Sequence, residues 1–288
     1  MSRFRILPYK MNSISAKSLA KFFNVLKIYH NGDFIPRDGD IILNWGSGGY
    51  IPILNRNDRN YTVLNKPEAI DNASNKISTL RLLKQNEVSH VEFKLNKEDA
   101  KEFINKGHKV YCRTRIAGKA GAGIIIANTK DELPDNCRLF TKKFPNDEEY
   151  RIHVFNNEII DRVHKKKMSK ERMQELNIKE EDLSTDIKNL KKGWSFTRED
   201  LEIDENLDNL AKNAIKALGL DFGAVDIAKS KDGNAVVLEV NTAAGMKKGT
   251  TTHLRYCNAI SKYLGKDFSK EEYEERYNCK LNFGLLDK

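Results

Sequence analysis

The chain lacks most of what would mark a secreted, membrane-bound or metal-stapled protein. Its 288 residues hold four cysteines, Cys112, Cys137, Cys257 and Cys279, with no C-x-x-C pair among them. That scatter argues against a zinc site and a disulfide framework and leaves reduced thiols as the default. No apolar run approaches the ~18–20 residues that span a bilayer. The opening MSRFRILPYK carries charge with no apolar stretch behind it, so no secretory signal is read. No internal repeat or low-complexity linker divides the chain. These absences point to a cytoplasmic protein without a membrane partner.

What is present is a polar globular composition, 39% hydrophobic and 32% charged, in a chain long enough for one large domain or two to three small lobes. A net charge of +9 raises the question of nucleic acid. The excess sits in short clusters such as Lys165–Lys167 and Lys191–Lys192. There is no zinc-finger spacing, no aromatic RNA-binding signature and no basic region leading into heptads. A basic balance also suits nucleotide phosphates or an acidic substrate. Nucleic-acid binding through Lys165–Lys192 is the weaker reading.

Apolar spacing predicts a helix from Ser13 to Lys27 behind caps at Asn12 and Ser13. Strands at DIILNW (40–45) and YTVLN (61–65) follow, with GSGG at 46–49 between them. This gives a small α/β lobe over residues 1–66. Pro67 opens a second lobe, 67–144. It holds a helix through Lys76, Leu80, Leu82 and Leu83, a strand near Val91–Phe93, a helix capped by Asn96, and three further strands. Two of those strands are joined by AGKAGA (117–122). A third lobe, 145–265, begins with two strands turning at Asn156-Asn157. It continues through a charged segment, 168–192, read as an exposed insertion, then an amphipathic helix over 204–218, two strands and a helix. Residues 266–288 read as a charged tail. The alternation gives α+β lobes rather than a doubly wound sheet.

The strongest local signal is DFGAVDIAKSKDGNAVVLEVN, residues 221–241. Asp232-Gly233 predicts a two-residue hairpin turn, and the register that follows sets Asp226 opposite Glu239. Alternation then places Val225, Ile227, Val236, Leu238 and Val240 on one face and Asp226, Glu239 and Asn241 on the other. Carboxylates directly opposed across a ladder repel, and a divalent cation between them reverses the sign. Mg²⁺ prefers such hard oxygen ligands, completed by phosphate oxygens and water. The isolated pattern alone better suits a solvated edge whose acids keep apart or pair with lysines; taken with the rest of the chain, Asp226, Glu239 and Asn241 are the expected metal ligands.

Here the sequence resembles the ATP-grasp superfamily, in particular ligases related to ribosomal-protein glutamate ligases and similar phage proteins. GAVDI and LEVNTAAG are similar to that family's metal-binding strands. The resemblance covers Pro67 to Leu264, and the first lobe by element order alone. It implies an ATP-grasp fold, with a small N-terminal α/β lobe before two α+β lobes that grip ATP. DEEYRIHVF resembles the stretch supplying a ribose-contacting acid and a phosphate- or substrate-facing arginine, here Glu149 and Arg151. Lys165 matches the basic residue after the next strand. RLFTKKFP resembles the hinge whose backbone reads adenine, giving Lys142, Lys143 and Phe144. DIKNLKKGW resembles the segment approaching the reacting centre, giving Lys188 and Asn189 as catalytic candidates beside Arg151. Lys76 matches a lysine at a helix start. Arg113 stands where the family usually has an α-phosphate lysine, and its planar fork differs in shape.

The resemblance implies ATP with Mg²⁺, or Mn²⁺ in its place, and a carboxylate–amine ligation through an acylphosphate. The substrates would be a carboxylate and an amine carried by an amino acid, peptide or protein. A phage origin would place the protein in a bacterial host's cytoplasm. Two rivals stand beside this reading: an ATP-binding protein of the same fold without ligase activity, and a basic nucleic-acid-binding protein. His153 and His164 sit on strands without ligand-spaced partners and read as structural, and Trp194 reads as packing.

Overall fold

The computed structural model describes residues 2–55, 58–116, 123–184, 186, 188–199 and 201–281. The N-terminal lobe is a parallel sheet in the order β1 (Phe4–Pro8), β2 (Ile41–Trp45), β3 (Thr62–Leu64), with helix α1 (Ile14–Phe23) in the first crossover. Ser13 caps α1 by accepting the Ala16 N–H, and Asn24 ends it in the left-handed conformation, earlier than the expected Lys27. Strand β1 was not expected. Its FRILP segment is buried on both faces, so it shows no alternation for a sequence reading to detect. Phe4, Ile6, Leu19, Leu43 and Trp45 form the core of this lobe.

The second lobe begins with two helices where the sequence suggested one, α2 (Pro67–Ser74) and α3 (Lys76–Gln85). Asn75 separates them in an extended conformation, and its side chain accepts the N–H groups of Ile77 and Ser78. An antiparallel sheet follows, in the order β4, β7, β5, β6, built from β4 (Phe93–Lys94), β5 (Val110–Arg113), β6 (Ile124–Ala127) and β7 (Leu139–Lys142). Helix α4 (Lys97–Asn105), capped by Asn96, packs Ala100 and Phe103 against Val110, Cys112 and Phe140. The AGKAGA segment lies outside the described residues.

The third lobe is a five-stranded antiparallel sheet, β10-β9-β8-β11-β12. Its strands are β8 (Glu148–Phe155), β9 (Glu158–Lys167), β10 (Trp194–Thr197), β11 (Phe222–Lys229) and β12 (Ala235–Asn241). Asn156 and Asn157 both take positive φ, 48° and 62°, to close the β8–β9 turn. Between β9 and β10 lies α5 (Lys170–Glu175); α6 (Glu205–Ala217) then covers one sheet face, with Leu207, Ala211, Ala214 and Ile215 against Ile152, Val225 and Ile227.

Two C-terminal helices, α7 (Thr251–Tyr263) and α8 (Lys270–Tyr277), return to the N-terminal lobe. Trp45 stacks on Phe222 at 5.3 Å and meets Tyr256 edge-on at 5.2 Å. The stretch read as a charged tail instead carries α8, because Tyr273, 1% exposed, anchors it beside His253 and Phe22. Among the described residues no helix is long and apolar enough to cross a membrane.

Asp40, at the start of β2, staples the N-terminus. Burial pushes its carboxyl up, but Arg3, donating to both oxygens, and the backbone N–H groups of Arg37 and Arg3 outweigh this and hold it at about 2. A depressed carboxylate stabilises the fold above its unfolded value of 3.8 and loses that contribution as pH falls through the folded value. Asp40→Asn should therefore lose roughly 2 kcal/mol at pH 7 and converge with the wild type near pH 2. Urea denaturation at both pH values checks this, and a constant difference across them would contradict it.

Candidate active site

Strands β11 and β12 set Asp226 opposite Glu239, but by a different route from the expected one. The turn has three residues, not two. Ser230 N–H donates to Asn234 O at 2.9 Å, Gly233 N–H donates to Ser230 O at 3.0 Å, and Gly233 takes φ +83°. Glycine supplies the left-handed position such a loop needs. This displaces the register by one residue, and a bulge between Asp226 and Ile227 restores it. Consequently Val237, not the expected Leu238, opposes Ile227 and enters the core under α6. Val236 and Leu238 turn to the other side, beside Leu80, Val91, Leu139 and Phe144. The expected facing of those two residues is corrected, and the bulge is what re-aims them.

This hairpin borders a cleft of about 1090 Å³ between the two antiparallel sheets and the N-terminal lobe. Every site residue named from the sequence lines it: Asp226, Glu239 and Asn241 on the hairpin; Lys76 and Arg113 from the second lobe; Lys142, Lys143 and Phe144 from the hinge; Glu149, Arg151 and Lys165 from β8 and β9; and Lys188 with Asn189.

Their electrostatics are largely self-contained. Arg151, the cross-strand neighbour of Asp226, grips it through one edge of its guanidinium, donating from Nε to Oδ1 at 2.6 Å and from Nη2 to Oδ2 at 2.8 Å. Glu239 accepts from Lys76 Nζ and from Asn241 Nδ2, each at 3.2 Å. Burial pushes the Glu239 carboxyl up, yet Lys76, Asn241 and Arg151 bring it below the ordinary glutamate value. It stays ionised at neutral pH. The expectation that only a dication makes the two acids compatible is thereby corrected, because Arg151 and Lys76 each take one.

Lys165 is ion-paired with Glu149, their side chains 11% and 7% exposed, and Asn146 donates to the second Glu149 oxygen at 3.1 Å. Burial lowers the Lys165, Lys188 and Arg113 cations from their ordinary values. Arg113 and Lys188 form no ion pair among the described residues. Lys188 donates to Asn146 O at 2.8 Å and lies 4.8 Å over the Trp194 ring. Asn189 caps a short 3-10 turn by accepting the Lys192 N–H. At the hinge, the Lys142 and Lys143 amides are committed to Glu92 O and Lys109 O, and their side chains to Glu92 and Asp186.

The segment 168–192 is not exposed throughout. Met168 and Met173 are buried, and Asp186 reaches the second lobe, pairing with Lys143 and Lys109 while its carbonyl accepts from Tyr111 Oη at 2.9 Å. His153 is buried against Tyr256 Oη, and burial takes its imidazole down to about 4. His164 stacks on Tyr150 at 4.7 Å. Both are packing residues. The sequence reading missed the cleft's N-terminal-lobe end: the first turn of α1, the 243–247 loop, Phe196 and Arg198. Only the alternation of Trp194, Phe196 and Arg198, along β10 and just past its end, offered a signal there.

No group of three or more histidines, cysteines or carboxylates that could hold a metal occurs among the described residues. Two carboxylates and an amide oxygen nevertheless converge on one cleft, and this oxygen set fits Mg²⁺ when phosphate oxygens and water complete it.

Two antiparallel sheets facing across a cleft, preceded by a parallel α/β lobe, recur in solved ATP-grasp structures. The D-alanine–D-alanine ligase from Bacillus anthracis superposes with a TM-score of 0.64 at 15% identity, covering 96% of this chain and 100% of that one. The ATP-grasp ligase PsnB complexed with minimal precursor gives 0.63 at 15% identity, covering 92% and 99%. The architecture is thus that of the ATP-grasp ligases. The model of the RimK-like ATP-grasp domain matches residues 73–262, and the chain belongs to that family. Its sequence is also 28% identical over 220 residues to the tetrahydromethanopterin:alpha-L-glutamate ligase of Methanocaldococcus jannaschii, covering 69% of this chain and 68% of that enzyme.

Removing Asp226 strands a half-buried guanidinium. Asp226→Ala should cost about 3–5 kcal/mol, and Asp226→Asn less, since an acceptor oxygen remains. Chemical denaturation reads this as a lower midpoint at unchanged slope. An unchanged midpoint for Asp226→Ala would mean that Arg151 finds another partner.

Proposed function

We propose that the chain is an ATP-dependent carboxylate–amine ligase that forms an amide through an acylphosphate, with an amino acid, peptide or protein as substrate. One observation carries the reading. The paired acids of the hairpin share their cleft with more cations than they neutralise, Arg113 and Lys188 among them. A triphosphate supplies the missing negative charge, and a cleft of about 1090 Å³ has room for a nucleotide and a second substrate. The relatives support the substrate class: one is named for joining glutamate to a pterin, and PsnB was solved with a precursor peptide.

In this reading the nucleotide base lies against Leu238, Val91 and Phe144, and Glu149 takes the ribose. Lys76, Arg113 and Lys165 balance the phosphates. Asp226, Glu239 and the Asn241 amide oxygen would hold Mg²⁺, which would supply positive charge against the triphosphate. Arg151, Lys188 and Asn189 face the reacting carboxylate, the acylphosphate and the oxyanion that follows. Proton-transfer demands on the protein are small, because positioning and charge neutralisation do most of the phosphoryl transfer.

A screen of ADP release over amino acids and peptides, with mass spectrometry of the products, tests the function. Glu239→Ala should lower turnover at least ~100-fold while far-UV circular dichroism is unchanged. Asn241→Asp should be milder, because an oxygen ligand remains. Normal Mg²⁺-dependent ADP release by Glu239→Ala would remove the hairpin from the reaction.

A further inference from the structure

The cleft runs on past the acid pair to the N-terminal lobe, and there its polarity changes. Between the first turn of α1, the 243–247 loop and β10, the lining carries Lys247 and Arg198 and, among the described residues, no carboxylate. Arg198 is built into the wall. Its Nε donates to Asp161 Oδ1 at 3.0 Å, and its Nη2 donates to Asp161 Oδ2 at 2.6 Å and Thr252 Oγ1 at 2.7 Å. Thr252 in turn donates to Asp161 Oδ2 at 2.8 Å. Asp161 is 2% exposed and is not part of the lining, whereas Arg198 is 25% exposed and is. One edge of the guanidinium is thus fixed from behind. Its Nη1 makes no hydrogen bond among the described residues.

The sheet places this group relative to the reacting end. Asp226 pairs with Arg151, which pairs with Val163, and the next rung on the same face is Ala224, His153 and Asp161. A two-residue step is about 7 Å along the strand. Asp161 therefore stands one rung beyond Arg151, further from the hinge, and the Arg198 guanidinium reaches it there.

We propose that Arg198, oriented by Asp161 and Thr252, is the specificity-determining residue of this cleft and binds a substrate carboxylate that does not react. The proposal rests on the ligase reading and deepens it, making one of the two substrates acidic. A planar fork held on one edge offers its remaining N–H groups to a carboxylate at little cost in orientation. Lys247, on the exposed rim, adds charge of the same sign. The carboxylate belongs either to a free amino acid or to an acidic side chain in a peptide.

The test compares L-glutamate with L-glutamine, and an amidated glutamate-containing peptide with its glutamine counterpart, by calorimetric binding and by ATP-dependent ADP release. The full chain should favour the acidic member of one pair by about tenfold or more, and which pair responds tells the free amino acid from the peptide. Arg198→Gln should raise KM for that member and bring the acid-to-amide ratio close to one, and Arg198→Lys should recover part of it. The double variant Asp161→Asn with Arg198→Gln removes both charges together and keeps the test readable if the single change unfolds the protein. A purely structural arginine would lower activity on both members equally, leaving the ratio intact, and that result overturns the proposal. So does a wild-type chain that does not distinguish acid from amide in either pair. Arg198-dependent binding of the acidic probe without ADP release would retain the anion site and reject the ligase reading.

Discussion

The cleft depends on how two carboxylates, set directly across a hairpin ladder, are kept from repelling each other. Asp226 is answered from within its own sheet by Arg151, and Glu239 from the second lobe by Lys76. The two arrangements differ in consequence. The Asp226–Arg151 pair is bidentate, and Asp226 is 7% exposed, so it is a fixed part of the floor. The Lys76–Glu239 contact is a single interaction at 3.2 Å, with Glu239 41% exposed, and it joins elements of different lobes. A pair at such distance near a surface is attracted by about 4 kcal/mol before desolvation, so it resists opening without locking the lobes together.

Contacts outside the hairpin fix the loop that follows β12. Ser15, in the first turn of α1, accepts the Met246 N–H at 3.0 Å and donates to Ala244 O at 3.1 Å. Tyr273 of α8 accepts the Gly249 N–H at 3.1 Å and meets His253 Nδ1 at 2.5 Å. The loop after β12 is thus tied at one end to the N-terminal lobe and at the other to the C-terminal helix. Burial lowers the His253 imidazole to about 4, so it is neutral near pH 7 and suited to the apolar cluster around Phe22 and Tyr277. The loop keeps its geometry because its anchors are buried and because Ala244 and Met246 are themselves buried, Met246 in the core shared with the N-terminal lobe.

How much of this was legible in the sequence follows from the range of the forces involved. Caps at Ser13 and Asn96, and the Asn156-Asn157 turn, act within four residues and could be read directly. The cleft residues could be named because the resemblance ran through the strands that carry them. The hairpin register was right at Asp226–Glu239 for a partly wrong reason, since a three-residue turn and a bulge offset each other. A bulge depends on what the strand packs against, here Leu139 and Val91 of another lobe, and no local pattern reports that. Strand β1 and helix α8 were missed on the same ground. The first is apolar on both faces and the second is nearly all charge, and only contact with distant residues gives either its place.

Strand β10 shows why the cleft tolerates so many cations. Trp194, Phe196 and Arg198 fall at alternate positions, and two of them present rings to charges from other elements. Trp194 lies under Lys188 at 4.8 Å; Phe196 lies under Arg151 at 4.5 Å and Lys165 at 5.1 Å. Each such contact is worth roughly 0.5–2 kcal/mol when desolvated. For Lys188, which forms no ion pair among the described residues, the Trp194 face offsets part of the burial that lowers the cation and leaves its charge for an anionic ligand. Arg151 and Lys165 combine the aromatic face with an acid, since each also holds a carboxylate, Asp226 and Glu149. Just past the strand's end, Arg198 uses a buried acid from behind, a device that suits a guanidinium whose orientation matters more than its net charge.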